Sequence, residues 1–169
     1  MKKILTLSLF AVSMVSLASA QMVNYGNQQN IIAKGVKSIS VSGNYTTSGG
    51  NHATNIQLGG SMFETSNIEL RAAFGYTSVN GSNSMQFLIG GRYYFQPNQD
   101  KQSLPFAGLF YTYQNGSGVN SHGFGVEVGM QYFLQPNISL TPDLVYASTT
   151  GNGNSDSFSI QVGLTYWFK

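Results

Sequence analysis

Three side chains in the stretch "NSHGFGVE" invite a chemical reading. Ser121, His122 and Glu127 are a hydroxyl, an imidazole and a carboxylate, the group types of a hydrolytic triad. Their spacing argues against it: a base has to stand within hydrogen-bond reach of its nucleophile. The alternation around Glu127 turns that carboxylate inward, five residues along the chain from His122. The two histidines, His52 and His122, fall in segments rich in Gly, Ser and Asn that read as outer loops. No Cys stands near them, and Asp156 is the one nearby carboxylate candidate. Two imidazoles make an incomplete metal site, so neither a metal nor a cofactor is expected. "GSGVNSHGFG" has the glycines of a phosphate-cradling loop, but no Lys-Ser/Thr ending and no helix after it. The sequons "NYT", "NGS" and "NIS" are chance matches in an Asn/Ser-rich chain. The sharpest feature is a set of charges, Glu69, Arg71, Arg92, Glu127 and Asp143, on the polar faces of four alternating segments. Enclosed guanidinium groups require carboxylate partners. Such a cluster either plugs the space that holds it or gates it by exchanging pairs.

The elements that carry these charges are strands. Apolar and polar residues alternate with period two in segments separated by turn-forming Gly, Asn, Ser and Pro. The predicted strands are Val36–Thr47, Asn55–Phe63, Ile68–Ser78, Met85–Phe95, Leu104–Gln114, Gly123–Phe133, Ile138–Ser148 and the closing run from Ser157. The fifth is apolar on both faces, so periodicity does not assign its register. Pro142 cannot donate to a ladder and predicts a bulge or distorted pairing. Eight strands with short connections imply an all-β, antiparallel, up-and-down closed barrel over residues 36–169.

Ahead of the barrel, Lys2 and Lys3, a short apolar run and Ala18-Ser19-Ala20 have the pattern of a cleaved signal peptide, residues 1–20 with cleavage at Ala18 and Ala20. Residues 21–35 then form an expected periplasmic segment. Removing Lys2 and Lys3 from the eight basic residues leaves six against six acidic ones, a near-neutral mature chain. Nucleic-acid binding, which needs a clustered basic face, is excluded on that ground. The absence of Cys excludes disulfides and thiol chemistry.

Alternation does not say which face of a barrel meets solvent; the charges do. All five lie on the polar faces, which otherwise hold Ser, Gly, Gln, Asn and Thr, side chains suited to the narrow interior of an eight-stranded barrel. Only 8% of the chain is charged, against about 25% in soluble domains. The apolar faces end in aromatics: Tyr45, Tyr76 and Tyr146 at one rim, and Tyr93, Phe95, Tyr132, Tyr166 and Phe168 at the other. Aromatic girdles at both rims mark a transmembrane barrel whose greasy face meets lipid. Inward glycines (Gly59, Gly75, Gly90, Gly125, Gly129, Gly163) would remove filler volume and keep a narrow passage conceivable.

The order "LPFAGLFYTY", "FGVEVGMQYFLQPNISLTPDLVY" and a closing "IQVGLTYWF" resembles the small eight-stranded outer-membrane β-barrel superfamily, of the outer-membrane protein A, X and W types. The resemblance covers about residues 36–168 in pattern, and departs from it in having Lys169 after the terminal aromatic. It implies location in a bacterial outer membrane, with lipid and lipopolysaccharide as surroundings. It also implies secretion, chaperone and barrel-assembly machinery as partners during biogenesis. Some such barrels modify lipid A, but the deacylase pattern of a His followed two residues later by Ser-Asn is absent. The expected tips, residues 48–54, 80–84, 114–121 and 149–156, lack the Trp, Tyr and Arg that anchor protein interfaces, which disfavours an adhesin. No peptidoglycan-binding domain is expected after the last strand. The expectation is therefore a monomeric, non-enzymatic structural barrel with a largely filled lumen, and as alternative a narrow or gated porin-like channel for ions or small solutes.

Overall fold

The structure, a computed structural model, describes residues 34–48, 51–79, 82–95, 103–116, 119–151 and 154–169. The signal-peptide reading, with Ala18 and Ala20, and most of the segment before the barrel lie outside these residues. Eight strands follow one another: β1 Lys37–Ser48, β2 Asn51–Phe63, β3 Ile68–Val79, β4 Ser82–Tyr94, β5 Ser103–Gly116, β6 Val119–Gln135, β7 Ile138–Gly151 and β8 Ser155–Phe168. Each pairs antiparallel with its sequence neighbours, and β8 returns to β1, so the sheet closes into a barrel. Closure leaves no edge strand at either side of the sheet, the condition for a β-structure to cross hydrocarbon. The described chain starts and finishes at one end of the barrel, the terminal end, opposite the far end.

Alternation sorts the side chains. On β6, Phe124, Val126, Val128, Met130 and Tyr132 are exposed on the outer wall, while Glu127, Gln131 and Phe133 are buried inside. At about 3.3 Å per residue and a tilt near 40°, Phe124 to Tyr132 spans a band of roughly 20 Å, close to the ~25 Å apolar band of membrane barrels. Tyr45, Tyr76, Tyr93, Phe95, Tyr132, Tyr146, Tyr166 and Phe168 all stand exposed on the outer wall. Tyr111, on the same wall, packs edge-on to Phe124 with ring centroids 5.3 Å apart. An outer wall that is apolar all round and carries its polar residues inside is stable only in lipid, so this barrel spans a membrane.

Two expectations change and two are made definite. The far ends of the strands run on through the residues read as loops: β1 reaches Ser48 before β2 starts at Asn51, and β5 reaches Gly116 before β6 starts at Val119. Ser, Asn and Thr favour turns locally, but pairing with a neighbouring strand satisfies each backbone group and overrides that preference. His52, His122 and Asp156 consequently belong to β2, β6 and β8, opposite Thr47, Thr150 and Ser148 respectively. At Pro142 the expected distorted pairing is found without a bulge: the β6–β7 ladder is interrupted between Gly129↔Asp143 and Tyr132↔Leu140 with the register the same on both sides, and the shift comes later, between Phe133 and Gln135. The fifth strand acquires its register from its neighbours, turning Leu104, Phe106, Phe110 and Thr112 inward. Finally, Phe95 lies just past the end of β4 rather than within it.

At the terminal end, Gly35 adopts φ +86°, a left-handed conformation that glycine takes without a Cβ penalty. Its N–H bonds the Phe63 carbonyl at 2.8 Å and so turns Val36 into the lumen.

Candidate functional site

The lumen is layered. At the terminal end Phe63, Tyr94, Phe106, Phe133 and Trp167 close it as a buried aromatic layer. Ring centroids lie 5.3 Å apart for Phe63–Tyr94, 5.5 Å for Phe63–Trp167 and 5.5 Å for Tyr94–Phe106. Its polar edges are tied upward. Trp167 Nε1–H donates to Ser139 Oγ at 2.8 Å, and Ser139 also takes a hydrogen bond from Gln131. Thr141 donates to Gln131 Oε1 at 3.0 Å.

Above this layer sit the charges. Arg92 on β4 reaches over β5 to Glu127 on β6, with Nε 3.0 Å from Oε1 and Nη2 2.9 Å from Oε2. The same Nη2 lies 3.1 Å from Asp143 Oδ2 on β7, and Arg71 Nη1 on β3 lies 3.1 Å from Glu127 Oε2. Two guanidinium groups and two carboxylates thus balance across the lumen. Planar Arg92 makes the bidentate contact and rests on the Phe106 ring, 4.2 Å from its centroid. Glu69 departs from the expected cluster. It is the cross-strand partner of Arg92, yet its carboxylate accepts from Tyr94 Oη at 2.7 Å and from Ser61 instead. Among the described residues it makes no ion pair.

Two of the inward glycines, Gly125 and Gly129, are filled by their neighbours. A Cβ on Gly125 would run into the Phe110 ring, and one on Gly129 would come within 2.7 Å of Phe106 Cζ. These glycines are the space into which neighbouring phenylalanines fold. Leu88, Phe110 and Val145 pack as a second apolar layer. Beyond them the far half of the lumen is a cavity of about 360 Å³, with Leu88, Phe110 and Val145 at its inner end and Asn, Gln, Ser and Thr around most of its wall; among the described residues that line it, Arg71 alone is charged.

The other candidate chemistry does not assemble. Glu127 is held by two arginines, and His122 stands exposed on the outer face while Glu127 is buried inside. Among the described residues the His122 ring hydrogen-bonds Thr150, Nε2 to Oγ1 at 3.3 Å. β2 and β6, which carry His52 and His122, lie four strands apart on opposite walls. Among the described residues no group of three metal-ligating side chains occurs.

The aromatic layer escaped the sequence reading, although the chain marks it. Strands β2, β4 and β8 finish in two bulky neighbours, Met62-Phe63, Tyr93-Tyr94 and Trp167-Phe168, and β6 carries Tyr132-Phe133 two residues before its end. In each pair the second or first member must point inward, because adjacent strand residues take opposite faces. Here Phe63, Tyr94, Phe133 and Trp167 do so.

No protein-family model matches the chain, and no curated protein sequence matches it. Solved structures do match. The N-terminal β-barrel domain of Pseudomonas aeruginosa OprF aligns with TM-score 0.63 at 14% identity, over 80% of this chain and 98% of that one. P. aeruginosa outer membrane protein OprG aligns with TM-score 0.58 at 14% identity, over 83% and 98%. The outer membrane enzyme PagL aligns with TM-score 0.52 at 16% identity, over 76% and 98%. Enzymes and other proteins share this architecture, so it does not decide activity. The chain has the fold of the small eight-stranded outer-membrane β-barrels.

Proposed function

We propose that this protein is an integral barrel of a bacterial outer membrane with a structural role and no catalytic activity. The observation that carries the reading is the double closure of its lumen. The Arg71–Glu127–Arg92–Asp143 cluster and the aromatic layer around Trp167 are stacked across the same narrow bore. A barrel of eight strands is just wide enough for side chains to fill, and here large ones fill it. The partners in keeping with this role are lipid and lipopolysaccharide outside, and secretion, chaperone and barrel-assembly factors during biogenesis; a monomer suffices. Planar-bilayer recording tests the reading, with folding confirmed by heat-modifiable gel mobility. The expected result is no current above the empty-bilayer background; reproducible conductance steps from the folded barrel would overturn it.

A second reading, a narrow gated channel, draws on one feature of the cluster. Arg71 Nε and Asp143 Oδ1 are buried without a hydrogen-bond partner, and Glu69 stands across from Arg92 as an alternative carboxylate. A move of Arg92 from Glu127 to Glu69 would part the cluster. Under this reading Glu127→Gln raises the bilayer current; under the structural reading the variant stays silent.

A further inference from the structure

The charges outside the lumen are not shared evenly between the two ends of the barrel. Apart from the cluster around Glu127 and the buried Glu69, the charged residues among those described are Lys34, Lys37, Glu64, Asp156 and Lys169. All three cations belong to the terminal end, where Glu64, just past β2, is the one acidic side chain described. Asp156 lies at the far end, opposite Ser148. Among the described residues no Lys or Arg stands on the outer wall there.

Two ladders fix the position of Lys37. It opens β1, opposite Met62 of β2 and Phe168 of β8. Alternation puts it on the outer wall in line with Ile39 and Val41, and it is exposed there. On β1 it thus takes the rim position that Tyr93, Tyr132 and Phe168 take on β4, β6 and β8. Beside it Tyr166 and Phe168 stack with ring centroids 6.3 Å apart. Aromatics at a barrel rim sit at head-group level, so an ammonium next to them stands at the depth of lipid phosphates. A lysine at that height lays its methylenes on the apolar wall and lifts its charge into the head-group layer.

Two further ammonium groups flank it. Lys169 directly follows Phe168 and is exposed. Lys34 precedes Gly35, whose N–H bond to the Phe63 carbonyl, at 2.8 Å, ties this turn to the end of β2. The acidic groups on this rim are Glu64, on the β2 side, and the α-carboxylate of Lys169. Neither forms a salt bridge with the lysines: among the described residues every salt bridge belongs to the lumen cluster. Lys37 is therefore an uncompensated cation on a wall that is otherwise apolar.

We propose that Lys37, flanked by Lys34 and Lys169, holds the phosphate of an anionic phospholipid at the β1–β8 side of the terminal rim, with the acyl chains along Ile39, Val41 and Val162. A zwitterionic lipid offers the same phosphate but brings its own cation, so net negative charge is what the surface selects. The surface requires only that the barrel span a membrane; it stands whether or not the lumen conducts.

The test uses the full chain folded in phosphatidylcholine vesicles, with a tryptophan at the rim as reporter: Phe168→Trp in a Trp167→Phe background, folding checked by gel mobility. Brominated phosphatidylglycerol and brominated phosphatidylcholine are added at equal mole fraction, and their quenching gives relative association constants. Phosphatidylglycerol should be preferred about fivefold, the attraction of one lysine for anionic head groups, and salt should erode the preference. Adding Lys37→Gln should abolish it, and Lys37→Arg should retain it. Tyr146→Trp in the same background, at the far rim near Asp156, should show no preference. Equal quenching of position 168 by the two lipids, an equal preference at position 146, or indifference to Lys37→Gln overturns the site. Weak quenching by both lipids that rises as the protein is diluted into excess lipid overturns it in favour of a second copy on this face. No quenching by either lipid at either position overturns the membrane-spanning reading as well.

Discussion

Arg92 and Glu127 meet across a strand that belongs to neither of them. The β5 residue between them is Gly108, cross-strand partner of Arg92 on one side and of Glu127 on the other. A Cβ on Gly108 would stand 2.6 Å from Glu127 Oε1. The absence of a side chain at that one position is what lets the guanidinium and carboxylate lie flat against each other over the sheet.

Gly108→Ala should therefore destabilise the barrel by about 1–3 kcal/mol, the usual cost of forcing a methyl into a packed interior. Urea unfolding in lipid vesicles, followed by gel mobility, measures it. An unchanged midpoint would mean that Glu127 moves aside freely and that the ion pair is loosely held.

Removing Arg92 should cost more than removing its partner as well. Arg92→Met leaves Glu127 with Arg71 alone and Asp143 without a cation, and loss of one member of a buried pair costs about 3–5 kcal/mol. The double variant R92M/E127M should recover part of the loss, because no buried carboxylate at position 127 is then left under-compensated. A double-mutant cycle on the unfolding free energies checks both, and strictly additive effects would count against direct coupling.

Trp167 is the chain's one tryptophan, and it is 4% exposed inside the lumen rather than on the lipid face. Its fluorescence in the folded barrel should be blue-shifted, yet brominated acyl chains should leave it nearly unquenched. Phe158→Trp in a Trp167→Phe background, on the outer wall, should be strongly quenched. Equal quenching at the two positions would place Trp167 in lipid.

Charge on the outer wall should be penalised by depth. Val128 sits midway along the apolar run of β6 and is 52% exposed there. Val128→Arg should cost about 2–4 kcal/mol, while Asn120→Arg, on the same strand beyond the aromatic rim, should cost about 0–1 kcal/mol. Refolding equilibria in vesicles read the difference, and similar costs at both positions would move the membrane boundary.

How far local sequence carries in this protein can be judged residue by residue. Alternation along β6 and β8 was sufficient to place Val126, Glu127, Ile160 and Gln161 on their faces, since strand periodicity is a property of the backbone alone. The charges then chose between inside-out and outside-in, because a solvated carboxylate and a lipid-facing one differ by several kcal/mol. Eight such runs with short connections leave a closed barrel as the arrangement that satisfies every backbone group in hydrocarbon.

Tertiary structure decided what alternation could not express. The register of β5, apolar on both faces, came from its pairing with β4 and β6. Arg92 has Glu69 beside it across the β3–β4 ladder, yet it reaches over Gly108 to Glu127. The bare Gly108 clears that path, and Glu69 is already engaged by Tyr94 and Ser61, contacts that only the closed barrel brings together. The packing of Phe110 and Phe106 turned Gly125 and Gly129 from possible openings into sockets. The height at which the β1–β8 ladder stops is also a property of the closed sheet: it joins residues more than a hundred positions apart, a relation that no local pattern contains.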